Sequence, residues 1–492
     1  MEFIGRREEL GRLEEYYNSE YPRTCAIYGR RRCGKTSLVQ EFYKNKPHLT
    51  IDLQGNSPEG ILRQIADSIA EFKGEPRDRI REDVKEFSDL TEFLKTLEPE
   101  EKLVVFLDEL PDAVEKLDEV APSLKRYIDG RLKEQNIFLI VCGSSISGML
   151  KEINGEDRPL FQRFPIQIKL GPLSYPEARQ FLPELDEADK IRAYTIASGI
   201  PQYHLLLSGT SLERRIKDQY FGTIAPLRLE SDSFLAREFS NWSVHERVIS
   251  TIANGANTLK LISEKTGMSK TNCSDIIRRL ELVDIVERRI PYGKGEKSTT
   301  FRIKDGFVAF QYEVVSRNMS LVQSKNVDEA YETMRDDISS FYGHRFEDVC
   351  MQYLTDTRLC RWSGNWEGRV PRLDEDGTVM KGDDGRVLKE DADVDLVAKT
   401  IDGDAVFTTV GECKFTRRRS GVSEYRELVR RASFAVKDTD NIRYVMFSGS
   451  GFTDELIEMA EDRPSLHLEL VTLDDIAAWA SGQTPQQPYK EA

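Results

Sequence analysis

The sequence contains no uninterrupted apolar run of the roughly 18 residues that a membrane-spanning helix requires, so no membrane association is expected. Cysteine and histidine are scarce, with 7 and 5 residues among 492. The cysteines are scattered and form no CxxC pair, which argues against a disulfide framework and against a zinc site. No internal repeat or low-complexity tract is present. With 39% hydrophobic residues, wholesale disorder is also excluded.

The amino-terminal segment MEFIGRREEL is charged from its start and carries no apolar leader, so a cytoplasmic location is expected. A chain of 492 residues is too long for one hydrophobic core, and three or four domains are expected. The net charge of −15 argues against an indiscriminate DNA coat. A local basic face that binds DNA remains compatible with that charge.

Short apolar runs alternate with amphipathic stretches over residues 1–210, as in a parallel sheet covered by helices. Buried strands are predicted at 25–29, 49–53, 103–109 and 137–145. Residues 174–220 are predicted to be helical. Strand-like alternation returns after about residue 346.

A phosphate-binding loop is the most specific motif in the chain. The pattern GxxxxGK[ST] follows a predicted strand and precedes a predicted helix, in the order Gly29, Arg30, Arg31, Arg32, Cys33, Gly34, Lys35, Thr36, with Ser37 next. In this context the loop amides and the start of the helix bind the phosphates of a nucleotide. Lys35 is expected to reach the β- and γ-phosphates of ATP and Thr36 to hold Mg²⁺.

The apolar run LVVFLDEL supports this prediction, because it ends in two acids about seventy residues after the loop. Asp108 would lie at the carboxyl end of a central strand, where ligands bind in open parallel sheets, and would bind Mg²⁺ through water. Glu109 would polarise the attacking water as general base.

Three further residues have two readings each. Ser144 ends the next strand and either senses the γ-phosphate or belongs to a simple strand-end turn. Arg158 and Arg163 follow in an irregular loop. Each is either an arginine finger, acting in its own or a neighbouring subunit, or an ordinary surface arginine.

Together the segments FIGRREEL, GRRRCGKTSL, VVFLDE, CGSS, PLFQR and SGIPQY resemble the archaeal-type ATPases of the AAA+/STAND group, over roughly residues 1–225. The resemblance implies that Ile4, Gly5 and Arg6, together with Phe3, lie near the adenine base. It also implies that Gly199, Ile200 and Pro201 belong to a helical lid.

Residues 257–303 have helix-turn-helix spacing. The turn at Thr266–Met268 precedes Ser269, a good helix cap, and a helix is predicted over Lys270–Leu282, followed by a two-stranded wing. DNA contact through this helix is one reading. A packing or partner-binding module is the other.

The carboxyl-terminal third carries a second constellation. Period-two alternation places Asp393 and Asp395 on one face of a strand, and Glu412 and Lys414 on one face of the next strand. Two carboxylates and an ammonium in this order suit a Mg²⁺-dependent phosphodiesterase. Glu347, on a predicted helix upstream, could supply a third carboxylate.

The set formed by Glu347, Asp395, Glu412 and Lys414 resembles the PD-(D/E)XK nuclease superfamily over residues of about 340–475. Two other readings stay open: a trivial surface Glu–Lys pair, and a nuclease-like fold that only binds DNA.

The predicted fold class is therefore α/β: a P-loop AAA+ core (1–172), a helical lid (173–238), a winged helix-turn-helix (239–320), and a restriction-endonuclease-like α/β domain (321–482). The expected function is ATP binding and hydrolysis in a DNA-associated protein with a Mg²⁺-dependent nuclease-like domain, for which a homo-oligomer is one expected state. The alternatives are a STAND-type regulatory ATPase or transcription regulator that does not cleave, and an origin-initiator-like loader.

Overall fold

The computed structural model describes residues 3–222, 224–324, 326–374, 376–402, 405–436 and 441–483. Internal contacts divide the chain into two compact units. The first unit runs to Leu173 and also contains Ile200–Tyr203 and Phe234–Trp242. The second contains Ser174–Gly199, His204–Ser233 and the chain from Ser243 onwards.

The first unit is built on a five-stranded sheet in the order β2-β3-β4-β1-β5, and all of its strand pairs are parallel. Every residue of β1, β3 and β4 is buried, as expected for central strands covered by helices on both faces. The strands are β1 Thr24–Tyr28, β2 His48–Asp52, β3 Leu103–Asp108, β4 Ile137–Gly143 and β5 Ile166–Lys169.

The helices of the first unit follow the amphipathic stretches of its sequence. In the helix over Pro58–Lys73, Ile61, Ile65 and Ile69 recur every four residues and are buried, and the Ser57 side chain caps the start. The helices are α1 Arg7–Asn18, α2 Lys35–Tyr43, α3 Pro58–Lys73, α4 Arg77–Asp83, α5 Phe87–Lys95, α6 Leu110–Lys116, α7 Val120–Asp129 and α8 Ile146–Asn154, with a 3-10 turn at Arg131–Glu134.

The second unit begins with short helices, as predicted for residues 174–220. They are α9 Tyr175–Ala178, α10 Glu187–Ala197, α11 Pro201–Leu207, α12 Leu212–Ile216 and α13 Pro226–Glu238. A 3-10 turn at Arg179–Phe181 and a π-helical turn at Lys217–Phe221 accompany them. Two of these helices are divided between the units: the first residues of α11 and the last residues of α13 belong to the first unit.

Three helices and a hairpin follow: α14 Trp242–Ala253, α15 Leu259–Thr266, α16 Lys270–Leu282, β6 Val286–Arg289 and β7 Thr300–Ile303, with a 3-10 turn at Glu296–Ser298. The predicted helix Lys270–Leu282 is confirmed with its cap, because the Ser269 side chain accepts a hydrogen bond from the Asn272 amide. Strands β6 and β7 pair in antiparallel fashion, so the predicted hairpin is also present.

Helices continue through α17 Gly306–Ala309, α18 Met319–Ser324, α19 Val327–Thr333 and α20 Arg335–Thr357, with a π-helical segment at Phe310–Val315 and a 3-10 turn at Ser316–Asn318. Helix α20, at 23 residues, is the longest of those described.

A five-stranded sheet in the order β12-β11-β10-β9-β8 ends the second unit. It is mixed, because β8, β9 and β10 pair in antiparallel fashion whereas β10, β11 and β12 are parallel. Its elements are β8 Leu359–Pro371, β9 Lys389–Asp402, β10 Ala405–Lys414, α21 Val422–Ala435, β11 Ile442–Ser448, α22 Asp454–Asp462, a 3-10 turn Pro464–Leu466, β12 Leu468–Val471 and α23 Leu473–Ala480. The side chains of Val394, Val410 and Leu428 are fully buried in its core.

The chain thus has an α/β P-loop ATPase-like core with a parallel sheet and a carboxyl-terminal mixed-sheet domain. None of the helices in the described ranges is both long and apolar enough to cross a bilayer. The four domain boundaries predicted from the sequence stay a prediction.

Candidate functional site

The phosphate-loop motif lies between the end of β1 and the start of α2, in the first unit. Gly29 follows β1 where its backbone passes Leu170; a Cβ atom there would lie 2.3 Å from the Leu170 carbonyl oxygen. Gly34 has a φ of +89°, in the left-handed region that favours glycine. Both glycines of the motif are therefore required by the backbone path.

Lys35 is buried, and its Nζ lies inside the curl of the loop. It donates hydrogen bonds to the carbonyl oxygens of Gly29 at 3.0 Å and Arg30 at 3.2 Å. A lysine held in this way places a positive charge at the centre of the loop, next to the first turn of α2.

Asp108 and Thr36 meet at the carboxyl edge of the sheet. The Thr36 hydroxyl donates to Asp108 Oδ2 at 2.7 Å. Burial raises the pKa of Asp108, and the hydrogen bond from Thr36 opposes that rise. The two residues predicted from separate motifs as Mg²⁺ ligands are thus adjacent, although 72 positions separate them.

Glu109 and Ser144 also meet at this edge. Glu109 has a φ of +56°, and its carboxylate accepts hydrogen bonds from the Ser144 amide at 2.8 Å and hydroxyl at 3.0 Å. Ser144, at the end of β4, therefore positions the carboxylate of Glu109, the residue predicted from the sequence to be the general base.

Arg6 bonds to the backbone around the loop. It has a φ of +61°, pairs with Glu9 at 3.1 Å, and donates to the carbonyl oxygens of Cys33 at 3.3 Å and Gly171 at 2.5 Å. Ile4 and Gly5 precede it and are half-buried. The guanidinium of Arg6 thus fastens the loop to the segment after β5, and the adenine-side role of these three residues stays a prediction.

Arg158 and Arg163, the two finger candidates, are paired within the first unit. Arg158 lies 3.6 Å from Glu152 and Arg163 lies 3.0 Å from Asp129. The Arg163 carbonyl accepts from the hydroxyl of Thr24, the first residue of β1. Arg163 therefore lies at the amino-terminal edge of the sheet, opposite the phosphate loop, and does not reach the loop of its own chain.

Two aromatic residues cover the loop: Tyr203, which ends the SGIPQY segment, and Phe234, which sequence reasoning missed. The guanidinium of Arg30 lies 4.1 Å from the ring centre of Phe234 and 5.6 Å from that of Tyr203. Both distances are typical of cation–π contacts. Phe234 belongs to no motif and is about 200 positions away in the sequence, so no local signal identifies it.

In the second unit, β9 and β10 bring together Asp395, Glu412 and Lys414. Gly411 pairs with Leu396, and the Cys413 amide donates to Asp395 Oδ2 at 2.8 Å. Lys414 forms an ion pair with Glu412, whose side chain is almost fully buried. The alternation predicted from the sequence therefore places the three groups side by side.

This proximity determines the electrostatics of the three groups. Burial raises the pKa of Asp395 well above its usual range, and the carboxylates of Glu412 and Glu347 raise it further. Burial also raises the pKa of Glu347 to about 7, against the influence of Arg302. Burial opposes the charge on Lys414, but Glu412 outweighs it, so the pKa of Lys414 is raised.

The three-carboxylate metal set formed by Glu347, Asp395 and Glu412 stays a prediction. Within the described part of the chain, no group of three or more His, Cys, Asp or Glu side chains is arranged to hold a metal ion. Asp395 accepts a hydrogen bond from the Cys413 amide and Glu412 pairs with Lys414, whereas Glu412 Oε2 has no hydrogen-bond partner among the described residues. Two neighbouring carboxylates remain as the available ligands.

An ionic cluster ties the β6–β7 hairpin to α20, next to Glu347. Arg302 forms ion pairs with Glu287 and Asp348, and Arg289 lies 2.8 Å from Glu287. Arg345 donates to the Ile303 carbonyl at 2.6 Å. The hairpin is thus fixed to the helix that carries the third predicted carboxylate.

The loop of the same hairpin packs on strand β8. The Tyr292 amide donates to the Asn365 carbonyl at 2.7 Å, and the Tyr292 ring lies 5.4 Å from Trp362. On α16, by contrast, five polar or basic residues are exposed: Lys270, Thr271, Asn272, Arg278 and Arg279. The helix is therefore accessible, whereas part of the hairpin loop is occupied by its own chain.

The parallel sheet, the glycine-bounded loop and the Thr36–Asp108 pair define a P-loop nucleotide-binding core. Comparison with known families agrees: residues 3–207 match an ATPase domain found predominantly in Archaea. Residues 311–426 match a family described as archaeal and bacterial proteins of unknown function. Residues 3–207 of this chain are therefore similar to the ATPase domains of that family.

An uncharacterized protein from Methanocaldococcus jannaschii is 28% identical over 361 residues, which cover 72% of this chain and 77% of the relative. An ATP-binding protein of the same organism is 46% identical over 44 residues, covering 9% of this chain and 75% of the relative. Among solved structures, the Walker-type ATPase of Pyrococcus abyssi aligns with 18% identity and a TM-score of 0.47, covering 63% of this chain and 96% of that one.

Proposed function

We propose that this protein binds and hydrolyses ATP with Mg²⁺ at the phosphate loop. The observation that carries the proposal is the 2.7 Å hydrogen bond between Thr36 and Asp108, beside the buried ammonium of Lys35. A hydroxyl and a carboxylate are hard oxygen ligands of the kind that Mg²⁺ prefers, and the loop amides suit phosphate oxygens. These residues therefore fit Mg²⁺ and a nucleotide.

Each residue has a distinct task in this proposal. Loop residues 29–37 bind the phosphates, Lys35 neutralises their charge, and Thr36 and Asp108 hold the ion. When bound, Mg²⁺ would supply charge neutralisation for the transferred phosphoryl group. Glu109 would accept a proton from the attacking water, and Ser144 orients its carboxylate through two hydrogen bonds.

Lys35→Ala tests this proposal. We expect ATP turnover to fall by about 100-fold or more, because the loop loses its central positive charge. Lys44→Ala is the matched control, since Lys44 lies just after α2, is exposed and pairs with Glu41. Equal turnover in the wild type and in Lys35→Ala would contradict the proposal.

A second activity, Mg²⁺-dependent cleavage of DNA by the carboxyl-terminal domain, is favoured by the Asp395, Glu412 and Lys414 group. Two adjacent carboxylates repel each other, and a divalent cation relieves that repulsion. Lys414 would steady the attacking hydroxide or the phosphate. Arg417, Arg418 and Arg419 follow β10 and are exposed, which suits a phosphate backbone.

Incubation with plasmid DNA and Mg²⁺, beside an EDTA control, tests this second activity. Wild-type protein is expected to nick or cut the plasmid, and Glu412→Gln and Lys414→Ala are expected to lose that cleavage. Lys389→Ala, an exposed lysine on β9, should cleave like the wild type. Cleavage that survives in both site variants would refute the assignment.

The winged-helix assignment and DNA binding through α16 complete the proposal. Five exposed polar and basic residues on α16 support it, and the packed hairpin loop makes α16 the main contact. The alternative is a STAND-type regulatory ATPase or transcription regulator that binds DNA or a partner without cutting; an origin-initiator-like loader is a further one. DNA binding without cleavage in the plasmid experiment would favour the regulator, and an ordered oligomer on DNA would favour the loader.

A further inference from the structure

The phosphate loop has an acidic neighbour that belongs to none of the motifs. Glu238 is the last residue of α13 and lies in the part of the chain that joins the first unit. Four residues earlier on the same helix, Phe234 covers the guanidinium of Arg30 at 4.1 Å. This places one helical turn of α13 directly against the loop.

Glu238 is anchored at the end of β4. Its carboxylate accepts a hydrogen bond from the Ile146 amide, and its carbonyl oxygen lies 3.5 Å from the Ser147 hydroxyl. Oε2 is buried and has no hydrogen-bond partner among the described residues. One short segment, 144–147, therefore holds both Glu109, through Ser144, and Glu238.

The charges around Glu238 are those of the phosphate site. Burial raises the pKa of Glu238 to about 7, Arg30 and Lys35 act against that rise, and Glu109 adds to it. The two cations are the ones that nucleotide phosphates would approach. The Glu238 carboxylate and the phosphates of a nucleotide would both be attracted to these two cations, and they repel each other when both are present.

We infer that Glu238 is a counter-anion to Arg30 and Lys35 of the phosphate loop, that it competes with the phosphates of a nucleotide, and that these phosphates displace it. Glu238 thereby weakens nucleotide binding, and the penalty grows with the number of phosphate charges. The displacement moves the end of α13 away from the loop, so that residues 234–242 report the presence of a triphosphate. This inference rests on the proposed binding of ATP at the loop.

Fluorescent analogues of ATP and ADP, titrated with Mg²⁺ at pH 8, test the inference. Glu238→Gln is expected to bind the ATP analogue about five- to tenfold more tightly than the wild type, and the ADP analogue with a smaller gain. Glu238→Ala should show the same tightening, and Glu238→Asp should stay near the wild type. Glu71→Gln, an exposed glutamate on α3, controls for the change in net charge.

Hydrogen exchange supplies a readout that does not depend on catalysis. ATP analogue is expected to speed amide exchange over residues 234–242 in the wild type while slowing it in the loop at 29–36. Unchanged or weaker binding by folded Glu238→Gln, or slower exchange over 234–242, would overturn the inference alone. A wild type that binds neither analogue would refute the proposed function as well.

Discussion

The two candidate sites differ in how the polypeptide builds them. The phosphate site depends on backbone: the path of a glycine-bounded loop at the edge of a parallel sheet, with side chains added at Lys35, Thr36 and Asp108. The second site depends on side chains projected from an antiparallel strand pair, Asp395 from β9 and Glu412 from β10. The first site therefore depends on the backbone path as well as on its charged groups, whereas the second depends chiefly on its charged side chains.

The comparison predicts its largest effect at Asp108. Asp108→Asn keeps the shape of the side chain but removes the negative charge that would hold Mg²⁺, so ATP turnover should fall by about 1000-fold, equivalent to about 4 kcal/mol. Nucleotide binding should change much less, because Lys35 and the loop amides remain. Turnover assays and nucleotide titrations on one preparation measure both quantities. If Asp108→Asn leaves plasmid cleavage unchanged, the two sites act independently of each other.

A glycine in each site tests the backbone side of the comparison. Gly29→Ala would place a Cβ atom 2.3 Å from the Leu170 carbonyl oxygen, a backbone atom, and is expected to cost about 3 kcal/mol or more. Gly411→Ala would meet Val445 Cγ1 at 2.9 Å, Leu396 Cβ at 3.1 Å and the Val445 carbonyl oxygen at 3.3 Å, which are less severe overlaps, and is expected to cost less, about 1–2 kcal/mol. Chemical denaturation measures both costs, and equal costs would contradict the distinction.

His204 lies in neither site and serves as a reference for a buried group whose titration affects only the stability of the fold. It is fully buried between Phe181 and Tyr194, neither ring nitrogen has a hydrogen-bond partner among the described residues, and burial lowers its pKa to about 3. The folded protein therefore favours the neutral ring. The free energy of unfolding is at its full value above pH 6.5 and declines as the pH falls towards 3, because the unfolded chain then binds a proton that the folded one does not. At pH 5 the loss is about 2 kcal/mol.

Between pH 7 and pH 5, His204→Leu should lose about 2 kcal/mol less unfolding free energy than the wild type does. Urea denaturation at pH 7 and pH 5 measures this difference, with and without ATP and Mg²⁺. An equal pH dependence in the wild type and in His204→Leu, or a difference between them that changes with nucleotide, would contradict a purely structural role for His204.

The smallest predicted effect concerns Mg²⁺ without nucleotide. Relief of the repulsion between Asp395 and Glu412 should stabilise the wild type by about 1 kcal/mol, seen as a rise of a few degrees in the thermal transition. Asp395→Asn should lose that rise, whereas Asp108→Asn should keep it. The opposite pattern would place the nucleotide-free Mg²⁺ effect at the phosphate loop.

The same difference explains which parts were predictable from the sequence. The loop at 29–36 is contiguous, and its glycines, lysine and threonine are specified by local backbone and phosphate chemistry. The helix Lys270–Leu282 was equally accessible, since the Ser269 cap and the apolar spacing are local signals. Period-two alternation also identified the faces of β9 and β10.

Contacts between segments far apart in the chain could not be predicted from local sequence patterns. Phe234 and Glu238 reach the loop from about 200 positions away, and no local pattern encodes which helix end will cover which loop. The ion pairs between Arg302 and Asp348 depend equally on how a hairpin meets a helix. The sequence likewise did not reveal that Lys414 pairs with Glu412 or that the Cys413 amide donates to Asp395.

The most direct test of two separate Mg²⁺-dependent sites measures ATP turnover and plasmid cleavage on the same preparations of wild type, Lys35→Ala and Lys414→Ala. The account predicts that Lys35→Ala loses ATP turnover, and that Lys414→Ala loses cleavage while its ATP turnover stays at the wild-type level. Equal loss of both activities in each variant, or no cleavage by the wild type with Mg²⁺ and ATP, would contradict it.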